Sequence, residues 1–347
     1  MVDFIVVGSG IASFTICKRL EERKKSFVVV SDFTSSATSV AGGIINPVVL
    51  KRFKLFWNAI NFYNEAISFY RQLERDTPNS LFTQKNIVRI FSSTKEQNDW
   101  FTAADQPILR KFLNTNLLGD SNKLKGEFKS GLMTDAYLVN AGKLLDYFHN
   151  TFLDPSQVIN EEFDYSKLIF SASHIRYKNI LSKKIIFAEG SKSINNPFFS
   201  YLPLYGNRGD YLIFKSTGLQ VDSLVKGKSF IIPLGNDIYK YGASFDRHHL
   251  TNTTPQAYRK ELINSLQRTI DVSFEVIRFE SGIRPNVKDR RPVLGNHPVF
   301  NSLYIMNGFG SRGIFMSPLL SKWLYDYMEG KENLPEEVDI KRFYDHF

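Results

Sequence analysis

The first thirty residues of the chain place a glycine-rich turn between a strand and a helix. The run DFIVV at 3–7 is short, apolar and β-branched, and apolar residues recur at helical spacing over 11–25. A second apolar run, FVVV, follows at 27–30. A strand, a glycine turn, a helix and a second strand within about 30 residues have the length of one βαβ unit. We therefore predict such a unit at this end of the chain.

Two glycine motifs compete for the role of nucleotide-binding turn. Gly8 and Gly10 are followed by Ser13, which breaks the fingerprint at its third glycine, whereas 308–313 spells a complete G-x-G-x-x-G. In a dinucleotide turn the first glycine permits the bend, the second lets the backbone approach the pyrophosphate, and the third lets the helix pack on the strand. The complete copy is followed by only 34 residues, with no apolar strand to close a βαβ unit. We predict that the pyrophosphate binds the N-terminal copy.

An acidic residue at the end of the second strand holds the ribose hydroxyls in a unit of this kind. Ser31 occupies the expected place and Asp32 the next, so Asp32 is our candidate. The N-terminus of the helix would supply N–H donors and a partial positive charge to the phosphates. The alternative is a glycine turn that binds no ligand. The predicted contacts of this turn are Gly8, Gly10, Ile11, Ala12, Ser13, Ser31 and Asp32.

The remainder of the chain predicts a second domain. Short runs at 209–216, 229–234 and 238–244 alternate with polar turns, which predicts an antiparallel set. Helical spacing predicts helices at 56–73 and 255–270. We expect an α/β fold with a Rossmann-type nucleotide domain and a smaller α+β substrate domain built on an antiparallel sheet. The nucleotide domain would comprise 1–50, 135–200 and 282–347, and the substrate domain 51–134 and 201–281.

Composition and charge narrow the class of protein. There are 44 Lys and Arg against 35 Asp and Glu, and the net charge of +9 favours polyanions or acidic substrates, although no nucleic-acid-binding motif is seen. No apolar run reaches the roughly 18 residues that span a bilayer, and the first strand begins close to Met1. We expect a soluble cytoplasmic protein without a signal peptide. The single cysteine, Cys17, and six scattered histidines predict no disulfide and no metal.

Six segments, in order, resemble the FAD-dependent oxidoreductases of the D-amino acid oxidase and glycine oxidase type. They are VVGSGIAS at 6–13, SSATSVAGGIINP at 35–47, FAEG at 187–190, YGASF at 241–245, GIRPNVKDRRPVLG at 282–295 and NGFGSRGIFMSP at 307–318. The last two segments are also similar to the FAD-dependent oxidase domain of the bifunctional enzyme that finishes 5-methylaminomethyl-2-thiouridine in tRNA.

The resemblance implies non-covalent FAD, because Cys17 is far in sequence from the segments that would contact the ring. Small residues at 41–43 would lie against the isoalloxazine ring, and N–H groups at 308–314 would stabilise negative charge at its pyrimidine edge. The implied contacts are Ser39, Ala41, Gly42, Gly43, Ala188, Gly190, Gly308, Gly310, Ser311, Arg312, Gly313 and Ile314.

The resemblance also implies two catalytic arginines. Arg284, in a G-x-R-P segment, would grip the substrate carboxylate with its planar guanidinium, and Arg312 would lie near the substrate. The alternative for each arginine is a structural ion pair, for example between Arg284 and Asp289.

The implied activity is oxidation of the C–N bond of an amine that carries a carboxylate, such as a D-amino acid or an N-substituted glycine. Hydride passes to the flavin, and water hydrolyses the imine. One alternative is an FAD-dependent enzyme that removes a carboxymethyl group from the carboxymethylaminomethyl group of a tRNA wobble uridine. Another is a non-catalytic FAD-binding protein. A nicotinamide dehydrogenase would leave the GIRP and GFGSRG segments without a role.

Overall fold

A computed structural model describes residues 1–34, 36–77, 80–119 and 123–347. Ser35, the first residue of the 35–47 segment, lies outside the described residues. The helices are α1 (Ile11–Glu22), α2 (Ala59–Asp76), α3 (Thr94–Ala104), α4 (Ala141–Tyr147), α5 (Gln256–Gln267) and α6 (Gly313–Met328). The strands are β1 (Val2–Val7), β2 (Phe27–Ser31), β3 (Ile44–Ile45), β4 (Val48–Val49), β5 (Lys54–Leu55), β6 (Phe82–Ile90), β7 (Ser130–Val139), β8 (Val158–Asn160), β9 (Leu168–Phe170), β10 (Ile175–Tyr177), β11 (Ile180–Phe187), β12 (Leu204–Lys215), β13 (Leu224–Lys226), β14 (Phe230–Gly235), β15 (Ile238–Gly242), β16 (Glu275–Val287), β17 (Val293–Asn296) and β18 (Leu303–Asn307).

The chain divides into two compact units. The first comprises 1–41, 141–207 and 282–347, and the second comprises 42–140 and 208–281. The two units have nearly the same number of residues, whereas the sequence predicts a smaller substrate domain. The assignment of FAD to the first unit and of the substrate to the second remains a prediction.

The first unit contains a sheet in which β1 is the central strand. The strand order is β17-β18-β11-β1-β2-β8, and β10 and then β9 continue from β11 off this path. β1 runs parallel to both β2 and β11, and β11 runs parallel to β18. From β1 the chain goes to β2 on one side, while β11 lies on the other. This reversal creates the crevice at the carboxyl ends of the strands where α/β sheets bind ligands.

Apolar burial explains why these strands and helices form. Residues 4–7 of β1 and all of β2 are buried, as expected for parallel strands covered on both faces. α1 presents Phe14, Ile16 and Leu20 to the interior, and all three are fully buried. α6 packs against α1, and the Arg19 guanidinium donates to the carbonyl oxygen of Pro318 at 3.4 Å. The βαβ unit predicted from the sequence is confirmed.

The second unit contains a sheet of order β16-β12-β15-β14-β13-β6-β7-β3. β12, β14 and β15 are antiparallel neighbours, as predicted, but β13 and β6 pair in parallel. The predicted helix at 56–73 begins and ends three residues later, at Ala59–Asp76, and Asn58 adopts a left-handed conformation with φ 49° just before its first residue. Within the described residues, no helix combines the length and apolar character needed to cross a membrane.

Candidate active site

Four segments that follow parallel strands of the first unit meet at one edge of its sheet. Gly8 follows β1, Asp32 follows β2, Ala188 follows β11 and Gly308 follows β18. Because these strands run parallel, their carboxyl ends share an edge. The sheet therefore brings together segments that are far apart in the sequence, including both glycine motifs.

The N-terminal turn needs glycine at its first position. Gly8 has φ +112°, and a Cβ there would lie 2.5 Å from the carbonyl oxygen of Ala188. This backbone carbonyl, directly after β11, cannot move aside cheaply, so the position requires glycine. At the third position of the fingerprint, Ser13 is fully buried and its hydroxyl donates to the same carbonyl oxygen at 3.4 Å. A small side chain with one hydrogen bond thus takes the place of the third glycine.

The first turn of α1 receives no capping bond from its own N-cap side chain. Its N-cap residue is Gly10, which makes no side-chain capping bond, and Ile11 and Ala12 are buried at the start of the helix. The N–H of Ile11 donates to the hydroxyl oxygen of Thr38 at 3.1 Å. Thr38 is a residue that sequence reasoning missed, since nothing in the local pattern links it to α1. Helix N-termini carry N–H donors and about half a positive charge, which suits a phosphate.

The residues after β2 form a polar cluster. The hydroxyl of Ser31 contacts that of Ser9 at 2.9 Å. Asp32 forms an ion pair with Lys192, its Oδ2 lying 2.5 Å from the lysine Nζ, and its Oδ1 accepts a hydrogen bond from Thr34. Partial burial raises the pKa of Asp32, but the hydrogen bonds from Lys192 and Thr34 outweigh this effect and hold the pKa below its ordinary value. Asp32 is therefore ionised at neutral pH, as a ribose contact requires, but it already has a cationic partner.

The C-terminal glycines lie in a tight turn beside α1. Gly308 and Gly310 have φ +81° and +55°, which favours glycine at both positions. A Cβ on Gly313 would lie 3.2 Å from the side chain of Ile11. The first residues of α6 and α1 are thus neighbours, and the N-cap of α6, Arg312, also makes no side-chain capping bond. Of the other residues predicted here, Ser311 is exposed in the turn and Ile314 is buried in α6.

The end of β16 carries Arg284 to this same turn. The backbone oxygen of Arg284 accepts a hydrogen bond from Asn286 at 3.2 Å, and a Cβ on Gly310 would lie 2.8 Å from Oδ1 of Asn286. Arg284 is buried, with 9% of its surface exposed, and its Nη1 donates to the amide oxygen of Asn207 at 3.2 Å. This bond orients the guanidinium.

The ion-pair alternatives for the two arginines can be compared with the structure. Asp289, the partner considered for Arg284, forms its ion pair with Arg342 at 2.9 Å. The guanidinium of Arg312 lies 5.7 Å from the centre of the Phe315 ring. Burial lowers the pKa of Arg312 to about 10, which still leaves the group charged at neutral pH. Arg284 and Arg312 both belong to the first unit, and Arg312 lies within the second glycine turn itself.

The small residues at 39–43 have local structural roles. The hydroxyl of Ser39 donates to the backbone oxygen of Ser36 at 2.7 Å. Gly43 has φ +69°, and a Cβ there would lie 1.9 Å from the carbonyl oxygen of Val139 in β7. A Cβ on Gly42 would likewise lie close to a side chain of the second unit. Ala41 is the last residue of the first segment of the first unit. The contact with β7 is sufficient to require glycine at 43, whether or not a flavin is bound. The contacts of 41–43 with the isoalloxazine ring therefore remain predictions.

These features fit FAD. The tight turn at Gly8 and the two neighbouring helix N-termini, whose own N-cap residues make no side-chain capping bond, suit an extended anionic dinucleotide. The Gly190 turn adds a further segment at the same edge, with φ +60° and open space where a Cβ would lie. No cluster of His, Cys, Asp and Glu in the described part of the chain could hold a metal ion.

Comparison with solved structures finds proteins of the same fold. The chain is 18% identical to the crystal structure of glycine oxidase from Geobacillus kaustophilus, with a TM-score of 0.81 over 99% of this chain and 97% of that one. Iminodiacetate oxidase from Chelativorans sp. BNC1 gives a TM-score of 0.77 at 15% identity over 98% of both chains.

Sequence comparison also finds relatives of the chain. The tRNA 5-methylaminomethyl-2-thiouridine biosynthesis bifunctional protein of Campylobacter jejuni subsp. doylei is 23% identical over 84% of this chain and 45% of its own length. The chain thus spans about half the length of that relative. A family model described as FAD dependent oxidoreductase (DAO) matches residues 3–327. Since this match covers nearly the whole chain, the protein belongs to the DAO family of FAD-dependent oxidoreductases.

Proposed function

We propose that this oxidoreductase oxidises the C–N bond of a small amine that carries a carboxylate, such as a D-amino acid or an N-substituted glycine. The observation that carries the proposal is Arg284, a buried arginine near the second glycine turn whose guanidinium donates to the amide oxygen of Asn207. A planar guanidinium can pair with a carboxylate through two parallel hydrogen bonds, so an arginine at this position favours a carboxylate ligand. The relatives named glycine oxidase and iminodiacetate oxidase support a carboxylate-bearing amine.

In this proposal, different residues of the chain bind the cofactor and the substrate. FAD, when bound, supplies the hydride acceptor. Gly8, Gly10 and the N-terminus of α1 hold its pyrophosphate, and the ionised Asp32 contacts its ribose. Backbone N–H groups of 308–314 and the N-terminus of α6 stabilise negative charge at the ring. The planar guanidinium of Arg284 pairs with the substrate carboxylate and thereby orients the amine.

Replacement of Arg284 tests this assignment. The FAD-loaded Arg284→Ala enzyme, mixed anaerobically with a panel of amines and amino acids, should still bleach but only at much higher carboxylate concentrations. Loss of a charge-assisted hydrogen bond costs about 1.5–3 kcal/mol, or about 10- to 150-fold in affinity. Arg284→Lys should restore part of the affinity, because lysine keeps the charge but not the fork.

A matched control is available on the same strand. Arg278 of β16 is exposed and pairs with Glu280 at 2.8 Å, so Arg278→Ala removes an arginine without touching the buried one. Its substrate affinity should be unchanged. Unchanged affinity of Arg284→Ala for every carboxylate substrate would refute the clamp, and a wild-type chain that cannot be reconstituted with FAD would refute the whole proposal.

A second candidate is an FAD-dependent tRNA-modifying activity on the carboxymethylaminomethyl group of a wobble uridine. It is favoured by the Campylobacter relative, which is named for tRNA 5-methylaminomethyl-2-thiouridine biosynthesis, and by the net charge of +9. This activity predicts tRNA binding that weakens steeply as salt increases, because phosphate contacts release counterions. It also predicts that tRNA carrying the modified uridine, but no free amino acid, reduces the flavin.

A further inference from the structure

We propose that Asn307 is a positioning residue that joins the Gly190 turn to the Gly308 turn, so that both ends of the FAD molecule meet one preorganised surface. The proposal rests on the FAD site described above. Asn307 is the last residue of β18. It is not part of the glycine fingerprint and is not among the FAD contacts predicted from the sequence. Its side chain is almost completely buried, with 2% of its surface exposed.

All parts of the Asn307 side chain are used. Its Nδ2 donates to the carbonyl oxygen of Gly190 at 2.8 Å and to the hydroxyl oxygen of Ser193 at 2.6 Å. Its Oδ1 accepts a hydrogen bond from the backbone N–H of Gly308 at 2.7 Å. One carboxamide therefore links the segment after β11 to the segment after β18. These contacts span 114 to 117 residues of sequence.

The link continues into a buried network behind the site. The hydroxyl of Ser193 donates to Glu189 at 3.3 Å, and the same carboxylate accepts from Tyr165 at 2.6 Å and from Asn196 at 2.8 Å. Burial raises the pKa of Glu189 despite these hydrogen bonds. The short 3₁₀-helix Gly190–Asn195 is thus fixed at both ends, by Glu189 and by Asn307. A network satisfied in this way rigidifies the backbone that it joins.

Only an amide satisfies both turns at this position. The Gly190 carbonyl and the Ser193 hydroxyl oxygen need a donor, whereas the Gly308 N–H needs an acceptor. Aspartate would place a carboxylate oxygen against the Gly190 carbonyl. Leucine has nearly the same shape but satisfies neither turn, so Asn307→Leu removes the link with little change in volume.

The test compares FAD with ADP, which contains only the half of the cofactor expected at the N-terminal glycine turn. Fluorescence titration of the apoprotein should show that Asn307→Leu weakens FAD binding about tenfold or more, while ADP binding changes less than about threefold. Ser193→Ala keeps the bonds to Gly190 and Gly308 and should have a smaller effect in the same direction. Bound FAD in Asn307→Leu should also show an absorption spectrum closer to that of free FAD.

Asn296 provides the matched control. It ends β17 in the same sheet and hydrogen-bonds through both ends of its amide, to Tyr327 at 2.6 Å and to the carbonyl of His297 at 3.0 Å, without joining the two turns. Asn296→Leu should leave the ratio of FAD to ADP affinity unchanged. The proposal is overturned if Asn307→Leu keeps that ratio, or if FAD and ADP binding fall together. Failure of the wild-type chain to bind FAD would instead overturn the proposed function.

Discussion

Replacement of Gly10 by alanine separates a structural role of the N-terminal glycine turn from a role in cofactor binding. Gly10 has φ −90° and ψ −167°, an extended conformation that alanine also adopts. The added Cβ would lie 3.3 Å from the hydroxyl oxygen of Thr38, a side-chain atom that can shift by a few tenths of an ångström. The apoprotein should therefore tolerate the methyl group.

The expected magnitudes for stability and for binding are clearly different. Alanine is a poorer N-cap than glycine by roughly 0.5–1 kcal/mol, and the smaller entropy of the unfolded chain offsets this by about 0.4–1 kcal/mol. The free energy of unfolding should thus change by less than about 1 kcal/mol. If the pyrophosphate approaches the Gly10 backbone, loss of its charge-assisted hydrogen bonds costs about 1.5–3 kcal/mol, which weakens FAD binding about 10- to 150-fold.

Two assays on the apoprotein measure these quantities: urea unfolding and titration with FAD. Gly119→Ala is the neutral control, because nothing in the described structure lies within 4 Å of a Cβ at that position. Gly8→Ala is the opposite control and should destabilise the apoprotein by about 2 kcal/mol or more, since it combines φ +112° with a backbone contact at 2.5 Å. If Gly10→Ala binds FAD within about threefold of wild type, the pyrophosphate does not lie at Gly10.

Two further predictions concern stability. Hydrogen bonds from Lys183 and Ser26 lower the pKa of Asp3 from 3.8 to about 2, so the ionised carboxylate stabilises the fold above pH 3.8 and this contribution is lost as the pH falls towards 2. The difference in unfolding free energy between wild type and Asp3→Asn should therefore shrink across this window in urea titrations, and a constant difference would contradict the assignment. Gly131→Ala should destabilise the chain by about 1–3 kcal/mol through overpacking, because its Cβ would lie 2.7 Å from the Trp100 ring. Urea unfolding indistinguishable from wild type would show that the ring has room to move.

The part of the fold that the sequence predicted best is the βαβ unit within its first thirty residues. The bend at Gly8, the start of α1 and the buried β2 depend on neighbours in the chain, so local patterns were sufficient to identify them. Thr38 and Asn307 could not be found in this way, because their partners lie 27 and 114 to 117 residues away. The Asp32 ion pair with Lys192 is equally non-local, spanning 160 residues. Such contacts become visible only when the sheet order is known.

The complete glycine motif illustrates why spacing alone does not identify a nucleotide site. Its first glycine would place a Cβ 2.5 Å from Val287, and its third lies against Ile11 at 3.2 Å. Gly308 is therefore required by close packing against β16, and Gly313 packs closely on α1, whatever ligand is bound. The incomplete motif keeps Gly8 for the same kind of reason, but its third position tolerates Ser13, whose hydroxyl bonds to the neighbouring strand. Because packing places the two turns side by side, the starts of α1 and α6 together form one positively polarised edge, to which we propose that a single FAD molecule binds.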